Sequence, residues 1–92
     1  MAFEWDEAKD RANWRKHAIH FEMATRIFDG PTIQALDEKE DYGEERFIAI
    51  GAVDNRAVVV TYTLRGKDVR LISARKATRR EAEEYYQTIY GQ

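Results

Sequence analysis

Four cations crowd one short stretch of this chain: Arg75, Lys76, Arg79 and Arg80, set around the tetrad Thr78-Arg79-Arg80-Glu81. Thr-x-x-Glu is the pattern of a capping box, in which the hydroxyl and the carboxylate each accept a backbone N–H left open at a helix start. The residues before it, Val69 to Ala74, are rich in Val, Leu and Ile and read as a strand. A strand would therefore hand over to a helix inside a basic cluster. Free N–H groups and the positive end of the helix dipole point the same way there, so the junction suits an anion such as phosphate. The competing reading is a solvated basic edge that pairs with acids elsewhere in the fold. A second candidate is His17, whose ordinary titration near neutrality suits acid–base work, though a histidine after a helix also serves as a cap or a surface residue. His17 and His20 form a His-x-x-His pair, but without cysteine a zinc site would need carboxylates from elsewhere, and no metal is expected. The chain has no Gly-rich phosphate loop, Gly-x-Ser-x-Gly elbow or His-Glu-x-x-His motif, which removes nucleotide-dependent, serine-hydrolase and zincin readings.

The elements that must position these residues follow from hydrophobic period and punctuation. Phe3-Glu4-Trp5 reads as a short edge strand, and Asp6 as the N-cap of a helix through about Lys16. That helix has a weak apolar stripe (Ala8, Ala12, Trp14) and carries Lys9, Lys16 and then His17 on another face. Phe21, Ala24, Ile27 and Phe28 recur at helical spacing and predict a second helix, stopped by Gly30-Pro31. Thr32 to Leu36 reads as a strand and Asp37 to Glu45 as an exposed acidic loop. Arg46–Val53 and Ala57–Leu64 read as a hairpin turned by Asp54-Asn55-Arg56, and Arg65-Gly66-Lys67-Asp68 turns the chain into Val69–Ala74. Val58, Val60, Tyr62 and Leu64 fall on one face of their strand. Both faces are apolar near its middle, which predicts a central strand covered on both sides. Arg79 to about Tyr90 shows the stripe Ala82, Tyr85, Tyr86, Ile89, Tyr90, an amphipathic helix closed by Gly91. The expected class is α+β: a short N-terminal strand, two N-terminal helices, an antiparallel sheet of about four strands, and a C-terminal helix.

Ninety-two residues suit a single domain, residues 1–92, with one modest core. The absence of cysteine fits a reducing cytoplasm, and neither a signal-peptide pattern nor a membrane-spanning run is present. The net charge of −2 conceals a polarised layout. Asp37 to Glu45 holds six acids, including Glu40, against Lys39; Arg65 to Arg80 holds seven bases against Asp68. A nucleic-acid ligand would have to use such a local patch rather than the overall charge.

Leu71-Ile72-Ser73-Ala74-Arg75-Lys76-Ala77-Thr78-Arg79-Arg80-Glu81 closely resembles the C-terminal signature of the BrnT family, toxins of bacterial type II toxin–antitoxin modules with a RelE-like ribonuclease fold. Phe3-Glu4-Trp5-Asp6-Glu7-Ala8-Lys9, Asn13, Lys16-His17, Phe21-Glu22, Gly43-Glu44-Glu45-Arg46-Phe47 and Ile50-Gly51 match in the same order, so the resemblance covers nearly the whole chain. It implies a metal-independent endoribonuclease without a cofactor: the RNA 2′-hydroxyl attacks the adjacent phosphate, with a base, an acid and cations to hold the growing charge. On that basis Lys16, His17, Glu45, Arg65, Arg75 and Arg79 are the expected catalytic residues, and Lys9, Arg70, Lys76 and Arg80 the expected phosphate contacts. Guanidinium suits phosphate because it binds bidentately and keeps its charge. Against this stand plainer roles: an ion pair at a strand end for Glu45 and Arg46, and core packing for Tyr62 and the helical tyrosines. Trp5 and Trp14 read as packing residues or, where exposed, as stacking surfaces for RNA. The resemblance further implies inhibited translation and a hetero-oligomer with an antitoxin that carries a DNA-binding domain and alone contacts the operator. The same fold could instead serve as a non-catalytic module of a repressor complex, or as a free-standing RNA-binding domain.

Overall fold

Strand β4 (Arg56–Arg65) is the centre of the protein, and its residues Ala57 to Val60 are all buried. The computed structural model describes residues 1–39 and 41–91, so Glu40 of the acidic segment lies outside the described residues. On one side β4 pairs antiparallel with β3 (Phe47–Val53), which pairs with β2 (Ile33–Leu36); on the other it pairs antiparallel with β5 (Asp68–Lys76). The β3–β4 hairpin turns through Asp54 and Asn55, both at positive φ (51° and 65°), the backbone a two-residue hairpin turn requires. Helix α1 (Glu7–His17) is capped by Asp6, whose carboxylate accepts from the Ala8 and Lys9 N–H groups. Those two bonds hold the Asp6 carboxyl below its ordinary pKa. Helix α3 (Arg79–Tyr90) starts on the predicted capping box and runs to the predicted end.

Three expectations need correction. The sheet is mixed and five-stranded, in the order β1-β5-β4-β3-β2, because β1 (Phe3–Glu4) joins β5 in parallel, Phe3 opposite Val69 and Glu4 opposite Arg70. The expected second helix is a single α turn, α2 (Phe21–Ala24), continued as a 3₁₀ helix over Thr25–Asp29. The 3₁₀ helix lies directly on β3: a Cβ at Gly51 would sit 2.7 Å from Ile27 Cβ, so glycine lets the two backbones close up. The apolar stripe of α3 is only partly used. Tyr85 is buried and donates to the Pro31 carbonyl at 2.7 Å, whereas Tyr90 is 60% exposed. Burial raises the Tyr85 pKa above its ordinary value.

The two sheet faces are unequal. One carries the main core: Phe21, Ala24 and Ile27 pack on Ala49, Val58, Val60, Tyr62, Leu71 and Ala74. On the other, α3 brings Ala82 and Tyr86 to a small cluster with Ala57, Val59 and Ala77. Helix α1 contributes one buried residue, Asn13, consistent with its weak stripe. Asn13 acts as one more strand residue at the β5 edge: its amide donates to Ala74 O at 2.8 Å and accepts from Ala74 N at 3.1 Å. A further bond from Asn13 Nδ2 to Ile19 O, 2.9 Å, pins the loop that follows α1.

Candidate active site

The register of β4 and β5 slips once. Thr61 faces Ser73 and Tyr62 faces Leu71, so Ile72 is an extra residue in β5. A bulge breaks strict alternation, and here it lets the consecutive residues Ile72 and Ser73 line the same cleft. Asn13 fixes α1 along this edge of the sheet. The helical period then sets Lys9, Ala12, Lys16 and His17 along one wall. Arg46, one residue before β3, closes the cleft, which has a volume of about 320 Å³. Its lining holds Lys9, Lys16, His17, Arg46 and Ser73, and no carboxylate.

Arg46 is held in an unusual way. Its guanidinium lies 3.9 Å from the centre of the Tyr42 ring, a cation–π contact. Its Nε is buried without a hydrogen-bond partner; the Glu44 carboxylate, at 3.7 Å, is near enough for attraction but too far for a bond. A buried donor left open is costly, and an anion oxygen entering the cleft would satisfy it. For Glu45 and Arg46 the sequence leaves two readings, an ion pair at a strand end and a role in the site. The signal that singles out Arg46 is its neighbour: Phe47 packs into the main core against Tyr62, so alternation sends Arg46 to the opposite face.

The basic run from Arg65 to Arg80 is largely neutralised inside the chain. Arg75 Nη1 and Nη2 donate to both Glu81 oxygens, at 2.8 and 2.9 Å, while Glu81 also accepts the Thr78 N–H at 2.8 Å. The Arg75 guanidinium, with the Thr78 N–H, holds the Glu81 carboxyl down at about 2. The helix-start anion site is thus occupied by the chain's own carboxylate. Arg79 pairs with Glu83 and Arg80 with Glu84, one turn along α3, and both arginines are at least 90% exposed. Arg70 lies near Glu4 at 3.7 Å. Lys76 falls opposite Val58 and so on the main-core face, where it shares a second depression with His17. Glu45 and Arg65 line a neighbouring depression, where Arg65 stands 3.9 Å from Glu44.

The structure therefore gathers Lys9, Lys16 and His17, adds Arg46, and leaves Arg79, Arg80, Lys76, Glu45 and Arg65 outside that cleft. Among the described residues, Lys9, Arg11, Arg15 and Lys16 form no ion pair, and neither do Lys39, Arg56, Lys67 and Lys76, so half of the unpaired cations lie on α1. His20 pairs with Asp10 at 3.2 Å, and no group of three His, Asp or Glu that could hold a metal occurs among the described residues. A larger groove along α3, about 470 Å³, is lined by Ala82, Tyr86, Tyr90 and Gln87 with a single cation, Arg79. Glu83 also lines it, beside Arg79 and the two tyrosines. No described helix is long and apolar enough to cross a membrane.

Compared with known proteins, the sequence matches over residues 5–81 the family described as "Ribonuclease toxin, BrnT, of type II toxin-antitoxin system". The fold matches the 1.1 Å crystal structure of the Brucella abortus ribonuclease toxin, BrnT, with a TM-score of 0.66 and 24% identity, covering 86% of this chain and 99% of that one. No curated protein matches.

Proposed function

The chain belongs to the BrnT family of ribonuclease toxins of type II toxin–antitoxin systems, and we propose that it cuts RNA without a metal ion in the cleft between α1 and the β5 bulge. The observation that carries this is the lining of the cleft: imidazole, two ammonium groups and a guanidinium whose Nε has no hydrogen-bond partner, around a hydroxyl, with no carboxylate. Such a set attracts a phosphodiester and repels nothing in it. His17 or Lys16 takes the proton of the 2′-hydroxyl, whose oxygen attacks phosphorus. The 5′-oxygen leaves with a proton from the other, giving a 2′,3′-cyclic phosphate end. Arg46 and Lys9 hold the charge that develops on the non-bridging oxygens.

Arg70 and the exposed Arg79 and Arg80 contact phosphates further along the strand, as do Lys76 and Arg65 at the margins, and Glu45 beside Arg65 is a further acid–base group. Arg75 holds the start of α3 through Glu81. We take the chain as one RelE-like domain acting in the cytoplasm, where RNA cleavage stops translation. The family's type II character supports an antitoxin partner. That partner carries the DNA-binding domain, and the hetero-oligomer represses its own operon with operator DNA touched only through the antitoxin.

The test is cleavage of single-stranded RNA by purified protein with and without EDTA. Activity should persist in chelator and yield cyclic phosphate ends. Arg46→Ala should lower kcat about 10²–10³-fold, as loss of one such charge-stabilising group does. Arg46→Lys should recover only part of that, since an ammonium cannot reach both phosphate oxygens from one plane. Cleavage that needs magnesium would overturn the mechanism. A folded protein that cuts no RNA under any condition leaves the non-catalytic repressor module as its role.

A further inference from the structure

The only aromatic side chain of α1, Trp14, is 48% exposed, and it is held rigid. The His20 imidazole lies flat against its indole, with ring centres 4.5 Å apart and planes 2° from parallel. His20 in turn is fixed: its Nδ1 is 3.2 Å from Asp10 Oδ2, and the other Asp10 oxygen accepts the Phe21 N–H at 2.7 Å. The loop cannot drift, because Ile19 and Phe21 on either side of His20 are buried. The loop enters through Ala18, in left-handed conformation (φ 58°), whose N–H bonds to the Trp14 carbonyl at 2.8 Å. Three elements therefore combine to present an indole that covers no core, although Trp is among the costliest residues to leave in water.

We propose that Trp14 is a stacking platform for a nucleobase of the RNA, next to the phosphate held in the cleft. This rests on the ribonuclease reading of that cleft. Residues three apart on a helix are neighbours, so Trp14 stands between Arg11 on one turn and His17 on the next, and His17 lines the cleft. Arg11 and Arg15 have no ion-pair partner among the described residues and, one turn before Trp14 and next to it, flank the indole on the outer face of the helix. Free cations interleaved with a flat, exposed ring form the arrangement that binds single-stranded nucleic acid: the charges track the backbone and the ring takes a base of any identity. Because the indole is already clamped, binding orders no side chain, and the stacking energy goes into affinity. The platform therefore acts on substrate binding rather than on the chemical step.

Its experiment uses the intact protein and two RNA probes. In a Trp5→Phe background Trp14 is the sole tryptophan. A single-stranded RNA with 2′-O-methyl sugars, which cannot be cut, should quench its fluorescence saturably. The same RNA with abasic sites should bind by charge alone and quench little. In cleavage assays Trp14→Ala should raise KM roughly 5- to 150-fold, the range of one lost base stack, with kcat nearly unchanged, and Trp14→Phe should retain most of the affinity. Quenching by the first probe alone, in a protein that cuts no RNA, would keep the platform and sink only the ribonuclease reading. If active protein shows equal quenching with both probes, or Trp14→Ala cuts RNA with the parent KM, the platform is wrong. It is equally wrong if Trp14→Ala loses only its hold on an antitoxin.

Discussion

Asn13 offers the sharpest test of how this fold places its cleft. The side chain is 6% exposed and makes three hydrogen bonds, two to the Ala74 backbone and one to the Ile19 carbonyl. Asn13→Ala deletes all three and leaves a buried N–H and two buried carbonyls without these partners. At a net ~1 kcal/mol per bond, with a further ~1 kcal/mol for groups water cannot reach, the loss is about 3–4 kcal/mol. A chain of this size has roughly 5–14 kcal/mol in hand, so the variant should fold. Its Tm should fall by roughly 15–25 °C. Asn13→Asp keeps the acceptor but sets a carboxylate against two carbonyl oxygens, so it should be worse than Ala at neutral pH. The sign of its pH dependence is fixed by the same geometry. Protonation restores one donor, the folded-state pKa is therefore raised, and the Asp variant should gain stability as pH falls. Urea titration gives the comparison, with the midpoint moving at constant m. Because α1 is moored here and carries Lys9, Lys16 and His17, residual Asn13→Ala activity should drop more than its folded fraction. An Ala variant within 1 kcal/mol of the parent, or an Asp variant stabilised by rising pH, would refute this mooring.

The Arg75–Glu81 pair should appear in acid. Glu81 titrates at about 2 rather than 4.5 because Arg75 and the Thr78 N–H bind its charged form, so its contribution is complete above the ordinary carboxylate pKa and is lost as pH falls toward 2. The shift alone corresponds to a ceiling of ~3 kcal/mol, and with Arg75 41% exposed, solvent screening cuts this to about 1 kcal/mol. Melts of the parent and Glu81→Gln should therefore converge between pH 4.5 and 2, and parallel curves would count against the pair. Arg75→Ala should cost about 1 kcal/mol while Arg79→Ala, 93% exposed, stays within ~0.5 kcal/mol of the parent in thermal melts. Tyr85→Ala should cost about 3–5 kcal/mol, as loss of a large buried aromatic does. Ile89→Asp should cost much less, since Ile89 is only half-buried; equal losses in the two melts would mean that α3 packs by its whole stripe.

Local signals in the sequence were enough where the physics is local. The Thr78–Glu81 capping box, the Asp6 cap, the Asp54-Asn55 turn and the start and end of α3 were legible because each is a contract between residues a few positions apart. The parallel seat of β1 beside β5 was not, since Phe3 and Val69 meet across most of the chain and two residues carry no period. Nor was the collapse of the second helix into a 3₁₀ run, which follows from its closeness to Gly51 in a distant strand.

The pairing of the basic run was hidden in the same way, by reading charge as linear density. Seven bases between Arg65 and Arg80 outweigh any other stretch, yet four of them meet carboxylates of β1 and α3: Arg70 with Glu4, Arg75 with Glu81, Arg79 with Glu83 and Arg80 with Glu84. Glu83 and Glu84 follow Arg79 and Arg80 four residues on in the same helix, so that half of the cancellation was in plain view as i,i+4 spacing. Helix α1 looked less basic because Glu7 and Asp10 dilute it. In the fold Asp10 is diverted to His20 and the Phe21 N–H, which leaves Lys9, Arg11, Arg15 and Lys16 without an ion pair among the described residues, Lys9 and Lys16 of them in the cleft beside the bulge. What draws an anion is the charge left over after a fold has paired what it can. Here half of that remainder lies on the helix whose one buried side chain, Asn13, fastens it to the edge of the sheet.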